Sequence, residues 1–291
     1  LVAVMDQPPA AFIQEMYNSE EGYAVYVAAQ RVEDLKRRHM ETIDRLTKLL
    51  PYPVPDCTLF DVGAGAGGFL ALARAAGFRV QGNEISKPAA QECFRRHGIS
   101  LTNGSLGGEL GESRFEAVTM WCVLAHVSDP RQLLTDALRL LKPGGMLYFH
   151  TPRWCAIDLA GLAAIRISRG RIYQITERRV NAAHLRLYDH RNLRRLLAGI
   201  GFDVVDMRAI AGYSLQAASY LGSLGVPGRL ARPTAYALDN LIKNDLCIRN
   251  TLDVYVRKPA RGHGASSSGH DPDLAVERLR PVTKRASANH R

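Results

Sequence analysis

The sequence predicts an α/β protein built on a doubly wound, parallel sheet. Three observations carry this. Short apolar runs of strand length alternate with amphipathic segments of helix length through the middle of the chain. A glycine-rich turn, Gly63-Ala64-Gly65-Ala66-Gly67-Gly68, joins the first such run to the first such helix. Prolines and glycines fall between elements, as at Pro51, Pro53 and Pro55 and again at Pro143-Gly144-Gly145.

Residues 1–57 read as a helical lead-in or cap. Tyr23, Val27 and the segment 31–50 mix charged and apolar residues at helical spacing until the three prolines stop it. The pattern then predicts a strand at 59–62, a helix at 68–76 and a strand at 78–84. A helix follows at 87–97, opened by Ser86 as N-cap. A short strand at 99–102, a central strand at 115–120 and a helix at 131–141 come next. Lys142-Pro143-Gly144-Gly145 ends that helix, and 146–150 is a further strand.

After Pro152 the rhythm breaks. Residues 153–186 read as a helical insertion rich in arginine (Arg153, Arg166, Arg169, Arg171, Arg178, Arg179 and Arg186). Alternation resumes with a helix at 191–198 and a strand at 203–208. A second helical insertion at 213–250 precedes a strand at 251–257. Residues 259–291, dominated by Ser, Gly, His and Arg without apolar periodicity, read as a disordered basic tail.

Composition narrows the function. With 46% hydrophobic residues, the 291-residue chain can bury a sizeable core. No run approaches the roughly 18 apolar residues that a membrane span needs. The first twenty residues lack the basic start of a secretory signal. Five cysteines without a C-x-x-C pair argue against a disulfide framework and a structural zinc site, so a reducing, cytoplasmic setting is expected. The net charge of +10 raises the question of nucleic acid, but the arginines are dispersed and aromatics make up only 7%. A small-molecule substrate is therefore expected, with no nucleic-acid or membrane partner.

The glycine turn carries the chemistry. Glycines at alternate positions remove side chains from the turn, so its backbone can bend sharply and press against a ligand. Asp61 precedes it, and a carboxylate there repels a pyrophosphate but attracts an ammonium or sulfonium cation. A rival reading exists: Gly63, Gly65 and Gly68 also fit the dinucleotide fingerprint G-x-G-x-x-G. Glu84 then lies about 20 residues on, where that fingerprint places its ribose ligand.

The spacing acidic-x-Gly-x-Gly-x-Gly over Asp61 to Gly67 resembles the first motif of class I S-adenosylmethionine-dependent methyltransferases. Phe115-Glu116-Ala117-Val118 resembles the opening of that family's fourth strand. Leu141-Lys142-Pro143-Gly144-Gly145 resembles the turn before its fifth, and His184–Tyr188 with Gly201-Phe202 resembles the approach to its sixth. The chain is most similar to the type 11, 12 or 23 group, many of whose members act on small metabolites, sugars or quinones. The resemblance implies a Rossmann-like doubly wound sheet of seven strands, the last antiparallel, with helical lid insertions. It places the S-adenosylmethionine-binding domain at 58–258, with lids at 153–186 and 213–250.

The resemblance also implies the site. Gly63, Ala64, Gly65 and Gly67 would pack along the methionine part of S-adenosylmethionine, ordered by Asp61. Glu84 would accept both ribose hydroxyls, since a carboxylate offers two acceptor oxygens to a vicinal diol. Ile85, Gly104, Ser105 and Leu106 would border the nucleoside, Ser105 standing where the family often has an acid. Trp121 and Cys122 would close the cofactor site. An oxygen acceptor needs its proton removed, and the candidates are His126, His184 and Tyr188, with His150 and His190 as further histidines. Ubiquinone-pathway O-methyltransferases usually carry acids where Cys122 and Ala125 stand, so no metal is expected. The expected function is O-methylation of a small metabolite. An RNA or protein methyltransferase, or a non-catalytic S-adenosylmethionine-binding protein, are the alternatives.

Overall fold

A computed structural model describes residues 2–3, 15, 18–19, 33–104, 106, 110–171, 173, 176, 179, 184–211, 221, 227–243 and 249–260. In chain order the elements are β1 (Val2–Ala3), α1 (Glu33–Leu49), β2 (Thr58–Val62), α2 (Gly68–Ala75), β3 (Arg79–Glu84) and α3 (Lys87–His97). Then come β4 (Thr102–Asn103), β5 (Phe115–Trp121), α4 (Pro130–Leu140), β6 (Leu141–Pro152) and α5 (Ala156–Ile167). The rest are β7 (Arg186–Leu187), α6 (His190–Ile200), β8 (Asp203–Ile210), α7 (Gly228–Lys243) and β9 (Thr251–Arg257).

Seven strands form one sheet in the order β4-β3-β2-β5-β6-β9-β8. The strands from β4 to β6 are parallel, and β9 runs antiparallel to both neighbours. This is the Rossmann-like seven-stranded arrangement that the resemblance implied. The chain steps from β2 outward to β3 and β4, then returns to lay β5 on the other side of β2. That reversal opens a crevice at the carboxyl ends of β2 and β5, the place where such sheets bind ligands.

Both faces of the sheet are covered, so its central strands read as continuous apolar runs. Alternate residues enter opposite cores. Phe60, Val118, Leu147 and Val254 pack with Leu134, Leu193 and Leu197 of α4 and α6. Leu59, Ala117, Met146, Tyr148 and Tyr255 pack with Leu46 of α1 and with Phe69, Leu70 and Cys93 of α2 and α3. Asp61 and Thr119 fall on this second face, in register with each other. The Ser86 cap forms as expected, its Oγ accepting from the Ala89 N–H at 3.4 Å.

Several boundaries differ from expectation. The strand expected at 99–102 shrinks to Thr102–Asn103, because Ile99 leaves the sheet line to pack in the second core. The Lys142–Gly145 segment is drawn into β6 as a bulge, with Phe115 opposite Leu141 and Ala117 opposite Met146. Lys142 anchors it on buried Glu116, whose other oxygen accepts from the Thr58 N–H at 2.7 Å. The lead-in is not helical throughout, since β1 pairs antiparallel with β7. Tyr23, Val27, Arg178 and residues 261–291 lie outside the described residues, as do most of 168–183 and 212–226.

The two insertions leave and rejoin the sheet at one corner. Trp154 N–H donates to Tyr188 O at 2.9 Å, Tyr188 N–H to Pro152 O at 3.1 Å, and Arg153 N–H to Asn250 O at 2.7 Å. Within the first insertion, buried Arg179 and Asp158 form a 2.9 Å ion pair. Asp158 also accepts from the Cys155 N–H that opens α5. No helix among the described residues is long and apolar enough to cross a membrane.

Candidate functional site

The site begins at the end of β2. Asp61 is 1% exposed, and its Oδ1 accepts from the Thr119 hydroxyl at 2.6 Å. Burial pushes its carboxyl up to about 8; the Thr119 bond pulls it back and the Glu84 charge raises it further. Thr119 was not anticipated from the sequence. Its signal was present, since it sits opposite Asp61 on the adjacent central strand.

Gly63, Gly65 and Gly67 all lie at positive φ, between 58° and 76°. This is the left-handed region that side chains resist. At Gly67 a Cβ would also lie 2.2 Å from Cys93 Sγ, and at Gly63 2.9 Å from a Val123 methyl. The turn is thus fixed by conformation and by close approach to α3 and to the loop after β5. Ala64 N–H donates to Asn83 O at 2.9 Å, tying the turn to β3.

Glu84, at the end of β3, meets the turn directly. Its Oε2 accepts from the Gly65 N–H at 2.7 Å, and its Oε1 from the Ser86 N–H at 2.9 Å. Burial raises its pKa, and the N–H groups of Ser86, Gly65 and Ile85 lower it. Each oxygen retains a second lone pair, so a diol remains an acceptable partner. Gly104 donates its N–H to Glu84 O at 3.1 Å and accepts from the Asn83 amide at 2.7 Å. Ser105 lies outside the described residues. Leu106 packs against the first core.

Trp121 ends β5 inside an aromatic cluster. Its ring centroid lies 4.2 Å from His39, 5.0 Å from Phe69 and Tyr148, and 5.3 Å from His150. Its Nε1–H is buried without a partner. His39 was missed, although Leu35, His39, Thr42 and Leu46 trace one buried stripe of α1. Burial lowers His39 to about 4 and His150 to about 3, so both are neutral wall groups rather than bases at neutral pH.

Of the proposed bases, His126 and His184 come together, with ring centroids 4.7 Å apart. Leu185 N–H donates to Ala125 O at 2.8 Å, which fixes His184 beside the loop that carries His126. The Arg186 guanidinium adds bonds to Val127 O and, at 2.7 Å, to Ser128 O. Burial lowers the pKa of His184, and the Arg179 charge adds to this. Tyr188 corrects the expectation. It is 2% exposed within the first core, its hydroxyl donates to Leu124 O at 3.3 Å, and burial raises its pKa. It supports the loop after β5 instead of entering the mouth. His190 opens α6, where burial lowers its pKa. Cys122 stands at φ 62°, its Sγ 3.9 Å from His184 Nε2. Burial pushes its thiol up to about 12, which leaves it a poor nucleophile.

A glycine cradle, a carboxylate bonded to it, a second buried carboxyl on the strand that leads into it and a buried indole N–H without a partner are features that fit a cationic nucleoside cofactor. Comparison with known proteins agrees with this geometry. A family model described as a methyltransferase domain matches residues 33–207. The chain is 38% identical over 104 residues to a demethylmenaquinone methyltransferase of Tropheryma whipplei, covering 33% of this chain and 43% of that protein. It is 38% identical over 103 residues to a ubiquinone biosynthesis O-methyltransferase of Alkalilimnicola ehrlichii, covering 32% and 40%. The chain thus spans less than half the length of these curated relatives. Among solved structures, the magnesium protoporphyrin IX methyltransferase of Synechocystis superposes with TM-score 0.58 at 12% identity, over 86% of this chain and all of that one. That likeness concerns the fold.

Proposed function

The chain belongs to the methyltransferase-domain family, whose class I members use S-adenosylmethionine, and from this premise we propose that it O-methylates a small hydroxylated metabolite. One observation carries the reading: Asp61 and Glu84 flank the Gly63–Gly67 turn at the sheet reversal, while His126 and His184 face each other on the loop and insertion beside Cys122. S-adenosylmethionine supplies an electrophilic methyl group on a sulfonium. Glu84 holds the ribose, the glycine turn lies along the amino-acid part, and Asp61, once ionised, balances its positive charge. Gly104 and Leu106 border the nucleoside. Trp121 and the neutral His39 and His150 form an apolar wall that keeps water away.

The acceptor enters beside His126 and His184. Either imidazole is placed to take the acceptor's proton, a contribution typically worth about 10²–10⁴-fold. Alignment of the oxygen with the methyl supplies more, about 7–11 kcal/mol. The insertions 153–186 and 213–250 act as the lid. Quinone and phenol acceptors are favoured over sugars, because relatives that match about a third of this chain carry quinone-pathway names.

Calorimetric titration with S-adenosylmethionine and, separately, with NADH tests the class. Micromolar binding of the former that is lost in Glu84→Ala supports it. Binding of NADH alone overturns it and restores the dinucleotide reading. A screen of catechols, hydroquinones and sugars by product mass then tests the acceptor.

A further inference from the structure

The groups at the acceptor mouth form more than a pair of bases. Cys122, His126 and His184 place one thiol and two imidazoles with all three ligand atoms within 4.8 Å of one another. Among the described residues, no other group of three or more Cys, His, Asp or Glu donors is so close. We propose that this triad binds a zinc-type divalent cation with one coordination position open towards the acceptor.

The geometry is near what such an ion requires. Zinc takes sulfur at about 2.3 Å and imidazole nitrogen at about 2.0 Å, so tetrahedral S and N ligands lie roughly 3.6 Å apart. Cys122 Sγ and His184 Nε2 are 3.9 Å apart, a few tenths of an ångström above that spacing, and every pair of ligand atoms lies within 4.8 Å. The donors come from two segments already fastened together. Cys122 and His126 lie on the turn after β5, where His126 N–H donates to Val123 O at 2.9 Å. His184 arrives on the returning insertion, held by the Leu185 bond to Ala125 O and by Arg186 on Val127 O and Ser128 O. Outer contacts of this kind set ligand orientation. Cys122 adopts a left-handed backbone conformation, uncommon for a residue with a side chain.

The donor set selects the ion. One thiolate with two imidazoles suits zinc, or cobalt in its place, and disfavours magnesium and calcium, which take oxygen ligands. Cys122 and Ala125 offer no carboxylate, but a sulfur and nitrogen set completed by His184 from the insertion needs none. Three protein ligands leave the fourth position free, as in catalytic rather than structural zinc sites. With both imidazoles coordinated, the cation in place of either histidine would favour loss of the acceptor's proton, and the ligand for that position is an anionic oxygen of phenolate or enolate type. This last point rests on the methyltransferase reading; metal binding does not.

The test uses the full chain without a histidine tag, stripped with a chelator and titrated with Co²⁺. The expected result is one equivalent bound, with a thiolate-to-cobalt charge-transfer band in the near ultraviolet and visible bands of tetrahedral intensity, all displaced by Zn²⁺. Cys122→Ser should abolish the charge-transfer band, and His184→Ala should weaken Co²⁺ binding by more than about tenfold. Far-ultraviolet circular dichroism and cooperative thermal unfolding report whether each variant is folded. Folded protein with no charge-transfer band overturns the proposal, as does a band that survives in folded Cys122→Ser. A variant that does not fold leaves the wild-type titration, with zinc analysis of the isolated protein, to decide. Cobalt binding without cofactor binding would instead overturn the methyltransferase reading and leave the metal site standing.

Discussion

Asp61 and Thr119 sit opposite each other on neighbouring central strands, with the threonine hydroxyl 2.6 Å from the buried carboxyl. The pair controls when the site becomes negative. In the folded protein Asp61 holds its proton up to about pH 8, whereas an unfolded aspartate releases it near pH 3.9. The folded state therefore binds more protons across that window, and stability from this residue is fully present below about pH 4 and lost as pH rises towards 8. Denaturant titrations at several pH values should show this loss, and Asp61→Asn should flatten it.

Thr119→Val removes the bond that favours the charged carboxylate and should push the Asp61 ionisation still higher. A hydrogen bond to a charged group is worth about 1.5–3 kcal/mol, so cofactor affinity near pH 7.5 should fall by roughly 10- to 100-fold. The loss should shrink as pH rises. Calorimetry across pH separates this from a general packing defect, which would show no pH dependence.

Glu84 anchors the glycine turn and, in the proposed function, holds the cofactor; two substitutions divide these roles. Glu84→Gln keeps an acceptor for the Gly65 N–H, which the native carboxylate bonds at 2.7 Å, but loses the charge. Glu84→Ala loses both. Cofactor affinity should fall about 10-fold or more in the first and further in the second, while thermal stability should drop chiefly in the second. Equal thermal losses would mean that the loop anchor depends on charge.

Gly67→Ala should destabilise the protein for two separable reasons. Its φ of 76° resists a side chain, at about 1–2 kcal/mol. The new methyl would also meet Cys93 Sγ at 2.2 Å, an overpacking of about 1–3 kcal/mol. Cys93→Ala in the same chain should recover much of the second loss and none of the first. Urea unfolding of the single and double variants measures both.

Arg179→Met should loosen the first insertion. Its guanidinium is 7% exposed against a 3% exposed Asp158, and removing one partner of such a pair costs about 3–5 kcal/mol. Hydrogen exchange should accelerate in 155–167 and leave β2 and β5 protected.

The sheet was legible because its signals are local. Thr251–Arg257 alternates side chains over a short run and appears with the expected ends. Ser86 and Gly98 bracket α3 as cap residues should. Asp61, the glycines and Glu84 were legible as a spaced motif. What escaped depends on contacts between distant segments. β1 exists only through β7, His39 reaches the site only because α1 crosses over Trp121, and Tyr188 turns inward to Leu124. His126 and His184 were each visible as residue types. Their meeting was set by a backbone bond between 185 and 125, which no periodicity encodes.

The corner where Pro152, Arg153, Trp154, Tyr188 and Asn250 share backbone bonds has a consequence for how such proteins diversify. The first excursion leaves and returns on these bonds, and the second leaves beyond Ile210 and returns at Thr251, which pair across β8 and β9, so the span between the ends is set by the sheet. Doubling a loop held in this way costs only about 0.6 kcal/mol of closure entropy. The excursions are therefore exchangeable cassettes: grafted from another sequence with the same end points, they would change what is admitted while the sheet and the glycine turn stay where they are.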